Sequence, residues 1–495
     1  MNMQDEIYDL VVIGGGASAS LLSLSIFKLD PNFKVLIIET NSQFPRKIGE
    51  SIVDLTAVFI KTLDIEHILE KHSVKTGVRF LFNETNSTDL ADIAEFASPT
   101  MPGLVRGYHL NRSLFDQQML DEVESKGAYL YRPAKIIDSK FEEFQNELTL
   151  EVAGIIKKVK SKWVVDASGR SRYIANKLNW NDRTINPNRS AIMAHFKNVA
   201  SSSKWDTPRN DYWENCSIGS RAYSTTHLMR KNCWWWIIKL DEKTTSLGMV
   251  YDNTKLSFDD YENYFLETIS NDSQLSSLVK GAKMETIKEV KDVAYICENL
   301  YSKGIALLGD SGAFIDPLIS PGLEMIGQQS IWLAELLTKD KANCKYDARG
   351  WEKYSTVFNK AYESRLRLYK NAYNFIESKD IFSVWLMQGN YFYFSTVVYP
   401  AVVFKRFLKW PMNFNVLESA VLKFFESRLN KIHNRRIDQN RTSKITKNAI
   451  AYSGVRVPAN VLLFVLMPIY LLSKASWAYL KLEAEELKHR LLFFL

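Results

Sequence analysis

Gly14-Gly15-Gly16-Ala17-Ser18-Ala19 has the spacing G-x-G-x-x-G/A, with Ala19 in the third place. Glycines so placed allow a tight turn and let a pyrophosphate approach the backbone. The helix that follows such a turn offers unsatisfied N–H groups and the positive end of its dipole. Glu39, at the end of the next apolar run, stands where a carboxylate holds a ribose hydroxyl. Gly14, Gly16, Ala17, Ser18, Ala19 and Glu39 are therefore candidate contacts to a dinucleotide, and this fingerprint alone fits NAD or FAD.

The elements needed to position that turn are legible around it. Tyr8–Ile13 is a short apolar run that stops at the glycines, as a buried parallel strand does. A helical stretch runs from Ser18 to about Leu29 and ends at Pro31 and Asn32, and Lys34–Glu39 is a second buried strand. Together they form one βαβ unit. Further strands are expected at Glu147–Val152, Ser161–Asp166 and Cys233–Leu240. A strand at Gly304–Leu308 leads into GDSGAF and a helix from Gly322 to about Leu337. From Trp351 onward the pattern is helical and aromatic. No internal repeat is present.

The 495 residues are 46% hydrophobic and 24% charged, which excludes a disordered chain, a collagen-like repeat and a disulfide miniprotein. The length suits two or three domain-sized units. A net charge of +7 is mild for this size and does not indicate nucleic acid. The four cysteines, Cys216, Cys233, Cys297 and Cys344, form no CxxC pair and show no metal-ligand spacing, so neither a metal site nor a disulfide framework is expected. The N-terminus lacks the basic and apolar regions of a signal peptide, and a cytoplasmic protein is the expectation. Much of the positive charge falls in residues 423–447, followed by the apolar run Val461–Leu472 with Pro468. That run reads as a core helix, with an interfacial helix beside a basic patch as the membrane-associated alternative and an oligomer contact as a third.

Later segments decide for FAD. Gly309-Asp310 after a buried strand resembles the second FAD motif of flavin monooxygenases, in which the Asp binds the ribityl chain. Asp166-Ala167-Ser168-Gly169-Arg170-Ser171 resembles their D-x-x-G-x-S motif, and Arg112 in NRSLFD matches the arginine that approaches the flavin in R-x-x-F-D segments. In this order the motifs resemble the p-hydroxybenzoate-hydroxylase-like fold. That implies an α/β (α+β) architecture: a Rossmann-type FAD-binding domain, an interleaved antiparallel substrate sheet and a mostly helical C-terminal region. The expected division is a catalytic core over 1–345, its substrate sheet mainly at about 80–110 and 185–295, and a helical region over 346–495.

Three further segments resemble the flavin-dependent halogenases. Trp234-Trp235-Trp236-Ile237-Ile238 matches W-x-W-x-I-P up to its last place, where Lys239 stands. In that family the tryptophans, here Trp234 and Trp236, keep the organic substrate away from the flavin. Phe44-Pro45-Arg46-Lys47-Ile48-Gly49-Glu50-Ser51 resembles F-P-R…G-E-S, which implies that Arg46 and Ser51 border the flavin. Lys75-Thr76-Gly77-Val78-Arg79-Phe80 resembles K-x-G-x-x-F, which carries the essential lysine of the phenol and pyrrole enzymes. The implied chemistry needs an amine. A flavin hydroperoxide oxidises chloride or bromide to hypohalous acid, and a part-buried lysine of lowered pKa captures or orients it for an aromatic ring. Lys71 and Lys47 compete with Lys75 for this role.

The turn DPLISPG implies halide binding at Ser320 and Gly322, with Gly322 also among the flavin contacts that the resemblance implies. Three residues depart from the family pattern. Ile319 stands where tryptophan halogenases carry a glutamate, which points to a phenolic or pyrrolic substrate. Pro321 has no N–H to offer a halide, and Lys239 replaces a proline. The leading reading is an FADH2-dependent halogenase supplied by a separate NAD(P)H flavin reductase, acting on an aromatic that is either free or tethered to a carrier protein. The alternatives are an FAD-dependent monooxygenase that hydroxylates or epoxidises a lipophilic substrate, and a non-catalytic flavin-binding accessory protein.

Overall fold

The computed structural model describes residues 6–82, 94–99, 106–185, 188–202, 220–393, 416–438 and 480. Cys216, the apolar run Val461–Leu472 and the basic residues Arg441, Lys444 and Lys447 lie outside them. Among the described residues no helix is long and apolar enough to cross a membrane, and no cluster of acids, histidines and cysteines could hold a metal ion. The chain divides into two compact units that alternate along the sequence. The first takes Met1–His72, Leu110–Pro187 and Asp292–Glu363; the second takes Ser73–His109, Asn188–Lys291 and Ser364–Leu495. The segment expected as a separate helical region from 346 thus divides at Glu363.

The first unit is built on the expected βαβ start. Strand Glu6–Ile13 pairs in parallel with Val35–Ile38 on one side and with Ile155–Asp166 on the other. Ile155–Asp166 pairs in parallel with Ile305–Leu307, and Val35–Ile38 with Tyr129–Tyr131. Leu10, Val11 and Val12 are wholly buried, as a central parallel strand requires. An antiparallel extension, Ala134–Lys140 and Asn146–Val152, grows from the long strand Ile155–Asp166. Helix Ala17–Leu29 packs against helices Arg112–Ser125 and Gly322–Asn343. Its close approach is served by small residues: Ala19, Ser20 and Ser23 are fully buried. Every motif of the flavin resemblance ends one of these parallel strands or begins one of these helices.

The second unit is a seven-stranded sheet in the order Lys283–Val290, Arg189–Lys197, Thr244–Asp252, Cys233–Lys239, Thr225–Arg230, Gly77–Phe82 and Ala94–Pro99. All neighbours are antiparallel except Thr225–Arg230 with Gly77–Phe82. Successive side chains of a strand point to opposite faces. Leu81, Leu228, Trp235, Ile237, Leu247 and Met249 share one face with helix residues Phe265, Ile269, Leu275 and Leu278. Trp234 and Trp236 therefore take the other face, where His227, opposite Trp236 in the ladder, joins them.

The aromatics beyond residue 351 are partly explained as core. Trp351 stacks on Trp163 with ring centres 4.5 Å apart, and its Nε1–H donates to Asp340 at 2.8 Å. Phe382 meets Phe80 and Phe82 at 5.4 and 5.8 Å.

Candidate active site

The glycine turn is built as the fingerprint requires. The N–H of Gly14 donates to Ile38 O at 2.7 Å, and its φ of +98° suits glycine alone. A Cβ there would also strike Ala167 O at 2.6 Å. Gly16 is the N-cap of helix Ala17–Leu29 and gives it no side-chain cap, so the first-turn amides keep their donors for a ligand. Glu39 is buried and fixed: its carboxylate accepts from Gly15 N at 2.7 Å and from Asn41 N and Nδ2 at 2.7 and 2.8 Å. Ser18 Oγ lies 2.9 Å from where a Cβ on Gly309 would stand, which brings the first and second FAD motifs together.

Asp166 and Asp310 do different work. The Asp166 carboxylate accepts the N–H of Ser168 at 2.9 Å and of Ile174 at 2.7 Å, so it shapes its own turn. Burial pushes its pKa up. The Asp166 carbonyl accepts from Leu308 N at 2.9 Å and from Ser311 Oγ at 2.5 Å, joining the two motif strands. Asp310 is half-buried, and among the described residues its carboxylate accepts no hydrogen bond. Burial raises its pKa, against the opposing charges of Arg112, Arg170 and Lys47. An uncapped helix, a fixed carboxylate on the second strand and an unpartnered carboxylate after the later strand fit the pyrophosphate, ribose and ribityl groups of FAD. Bound there, FAD in its reduced form supplies the electrons that activate dioxygen.

Arg112 is buried and heavily committed. Its Nε and Nη2 donate to Asp116 at 3.1 and 3.3 Å, and Nη1 donates to Ile48 O and Gly49 O at 3.0 and 3.1 Å. It is thus the anchor of the loop Phe44–Glu50. Gly49 has φ +90°, and a Cβ there would meet Arg112 Nη1 at 2.5 Å. Arg46 is half-buried on this loop and Ser51 is buried just after it. Lys47 pairs with Asp116. The Asp116 carboxylate is fully buried; burial alone would raise its pKa, but Arg112 and Lys47 hold it below the usual carboxylate range. In the sequence Lys47 stands inside the F-P-R…G-E-S segment and as a rival lysine, and Asp116 closes the R-x-x-F-D segment, with no role given to it. Its place at i+4 from Arg112 on a helix was the available signal.

In the turn before helix Gly322–Asn343, Ser320 has φ +55° and its N–H donates to Pro317 O at 3.0 Å. That backbone donor is spent within the turn, leaving the Ser320 hydroxyl. Pro321 is the N-cap, and Gly322 opens the helix.

In the second unit Lys75 is buried, with its backbone N–H on Gly107 O at 3.0 Å. The next residue ties the strand down: Thr76 Oγ1 donates to Ser220 O at 3.0 Å. His109 is wholly buried, with Nδ1 3.0 Å from Lys239 O and Nε2 2.9 Å from Thr225 Oγ1. A carbonyl only accepts, so Nδ1 carries the proton and Nε2 accepts from the threonine. Burial, with the charge of Lys75 adding to it, pushes the imidazole pKa down to about 3. His109 was not singled out in the sequence, because its partners come from distant strands. The Lys239 ammonium pairs with Glu242 at 3.0 Å and covers the Tyr223 ring at 4.6 Å. Its carbonyl serves His109, and a proline at that place would supply the same carbonyl.

Trp234 and Trp236 are buried with ring centres 6.1 Å apart. Trp234 Nε1–H donates to Tyr373 Oη at 2.8 Å and Trp236 Nε1–H to Ser246 Oγ at 3.1 Å. Trp236 lies across Gly248, where a Cβ would meet its ring at 2.0 Å. His227 stacks on Phe80 at 4.2 Å and lies 5.3 Å from Trp234.

Comparison with known proteins places this geometry in a family. A family model described as tryptophan halogenase matches residues 82–382. The pyrrole-2-carbonyl peptidyl-carrier-protein chlorinase of Pseudomonas fluorescens is 25% identical over 350 residues, 65% of this chain and 74% of that protein. The flavin-dependent halogenase chlA of Dictyostelium discoideum is 23% identical over 440 residues, 80% and 71% of the two chains. Tryptophan 2-halogenase of Chondromyces crocatus is 26% identical over 332 residues, 64% of this chain and 58% of that protein. Among solved structures, the flavin-dependent brominase Bmp2 aligns with a TM-score of 0.68 at 21% identity, over 87% of this chain and all of that one, or 100%. Halogenase PltM in complex with phloroglucinol and FAD aligns with a TM-score of 0.73 at 17% identity, over 95% and 96%. These structures share the fold. The family match spans more than half of the chain, which therefore belongs to the tryptophan halogenase family, as an FAD-dependent oxidoreductase of the halogenase type with halide as co-substrate.

Proposed function

We propose that this enzyme halogenates an electron-rich aromatic, phenolic or pyrrolic in character, and that Lys75 delivers the halogen. The observation that carries this reading is the burial of Lys75 beside a histidine held neutral. Burial keeps the His109 ring neutral, and both of its nitrogens are engaged by Lys239 O and Thr225 Oγ1, so the amine that this cluster offers to hypohalous acid is that of Lys75.

The overall balance is FADH2, O2, halide and a proton giving FAD, water and hypohalous acid. The Lys75 amine then exchanges an N–H proton for the halogen with loss of water, or holds the acid by hydrogen bonds. Transfer to the ring carbon displaces a ring proton and restores the amine. Halide is held at the Ser320–Gly322 turn, where the amides opening helix Gly322–Asn343 and its dipole favour an anion. Trp234 and Trp236 exclude the substrate ring from direct oxidation. Ile319 supplies no carboxylate to assist an indole, which favours a substrate that is already activated. The carrier-tethered pyrrole of the Pseudomonas relative makes a carrier-bound acyl pyrrole or phenol the first class to try. A separate NAD(P)H flavin reductase supplies FADH2.

The test combines the protein with FAD, a reductase, NADH, candidate aromatics and either chloride or bromide, and reads products by halogen isotope pattern. Lys75→Ala is expected to keep FAD and lose halogenation; full halogenation by that variant would refute the lysine assignment. The turn geometry favours one second reading, a monooxygenase, because neither Ser320 N nor residue 321 offers an amide. Oxygenated product formed equally well without halide would establish that reading instead.

A further inference from the structure

The loop Phe44–Glu50 carries a cation that the halogenation chemistry does not use. Lys47 Nζ lies 3.2 Å from the position a Cβ would take on Gly16, and Asp116 Oδ2 lies 3.5 Å from it. Gly16 is the N-cap of helix Ala17–Leu29. A pyrophosphate bound at a helix N-terminus sits within hydrogen-bond reach of the first-turn amides, so this ammonium occupies the space beside those oxygens.

The three charged groups of the cluster are unequal. Arg112 is fixed by Asp116 and by two loop carbonyls, and it cannot leave without opening the loop. Lys47 is 39% exposed, and Asp116 is the one carboxylate it pairs with among the described residues. Asp116 is one carboxylate between two cations, and the other acid that feels them, Asp310, is pushed up by burial and shared with Arg170; of the two cations only Lys47 is exposed enough to move. If Lys47 turned away, Asp116 would remain paired with Arg112.

We propose that Lys47 is a phosphate-binding residue of the flavin site. It is held at the glycine turn by Asp116 and passes to the dinucleotide pyrophosphate when FAD arrives. The inference rests on FAD binding alone and not on the halide chemistry, so it stands or falls separately from the substrate reading. The exchange suits a flavin that must come and go, because the lysine has a paired state both with and without the cofactor.

FAD affinity, measured by flavin fluorescence in low and high sodium acetate, tests the proposal without turnover. The wild-type protein sets the reference affinity. Lys47→Met is expected to weaken FAD roughly tenfold at low salt, with the gap closing at high salt as screening removes the phosphate term. Its melting temperature without flavin should fall only slightly, because Arg112 still pairs with Asp116, and Lys47→Arg should bind like wild type. Unchanged affinity in Lys47→Met would overturn the proposal. So would an equal loss at both salt levels together with a lowered melting temperature, which would mark Lys47 as a structural partner of Asp116 only.

Discussion

Gly248 offers the sharpest test of how the tryptophan face is built. It lies directly opposite Trp236 in the ladder. A Cβ at Gly248 would stand 2.0, 2.3 and 2.5 Å from three carbons of the indole. Carbon atoms in ordinary contact stay about 3.5–4.0 Å apart, so in Gly248→Ala the ring must retreat by roughly 1.5 Å. That movement breaks the bond from Trp236 Nε1–H to Ser246 Oγ, now 3.1 Å long. Overpacking costs about 1–3 kcal/mol and the lost hydrogen bond about 1 kcal/mol. Gly248→Ala should therefore destabilise the protein by about 2–4 kcal/mol, read by urea unfolding followed through tryptophan fluorescence. The same substitution in a Trp236→Phe background should cost much less, because the smaller ring vacates the space; the difference is a coupling energy between the two sites. If the tryptophans wall off the substrate, Gly248→Ala should also give more oxygenated substrate per halogenated product. A loss under about 0.5 kcal/mol, against the overpacking magnitude just given, or equal losses in both backgrounds, would refute the packing argument.

Three further outcomes are expected. Gly49→Ala combines a strained φ of +90° with a contact of 2.5 Å to Arg112 Nη1, so it should detach the loop from Arg112, cost about 1–3 kcal/mol and weaken FAD in a fluorescence titration. His109 stays neutral down to about pH 3 in the fold against an ordinary value of 6.5; the unfolded chain binds that proton first as pH falls, so stability is full above pH 6.5 and declines toward pH 3. His109→Gln should flatten that decline in acid-unfolding curves. Pro321→Ala returns an amide N–H at a residue whose φ of −79° alanine accepts readily, so the KM for halide should fall with little change in kcat; an unchanged KM would show that this amide does not face the halide.

The first unit was the more legible in sequence because its signals are contiguous. A strand, a glycine turn and a helix follow one another within one stretch, and each is constrained by its neighbours. The helix beginning at Gly322 was legible at its start and longer than expected, running on to Asn343. The pairing of Lys47 with the Asp116 of the R-x-x-F-D segment was not legible, because a loop lysine looks solvated until the fold joins it to the helix. The same holds for His109, whose two hydrogen bonds reach Lys239 and Thr225. Ladder register creates such contacts, and composition does not report register.

The run Trp234-Trp235-Trp236 shows how the sheet resolves what a motif leaves open. A row of tryptophans fits a core strand and a barrier equally well. Alternation divides them. Trp235 belongs to the helix-covered core with Phe265, their ring centres 4.9 Å apart, whereas Trp234 and Trp236 share the opposite face and each spends its N–H on a named acceptor. Ring orientation on that face is thus set by Tyr373 and Ser246 and by the bare backbone at Gly248, not by hydrophobic contact alone. A face that needed only apolar cover would lose nothing when Ser246 changed. A face that must hold two indoles in fixed planes would not. The second description is what the proposed barrier between flavin and substrate ring requires, and it would give residues with no reactive group a part in the account of this site.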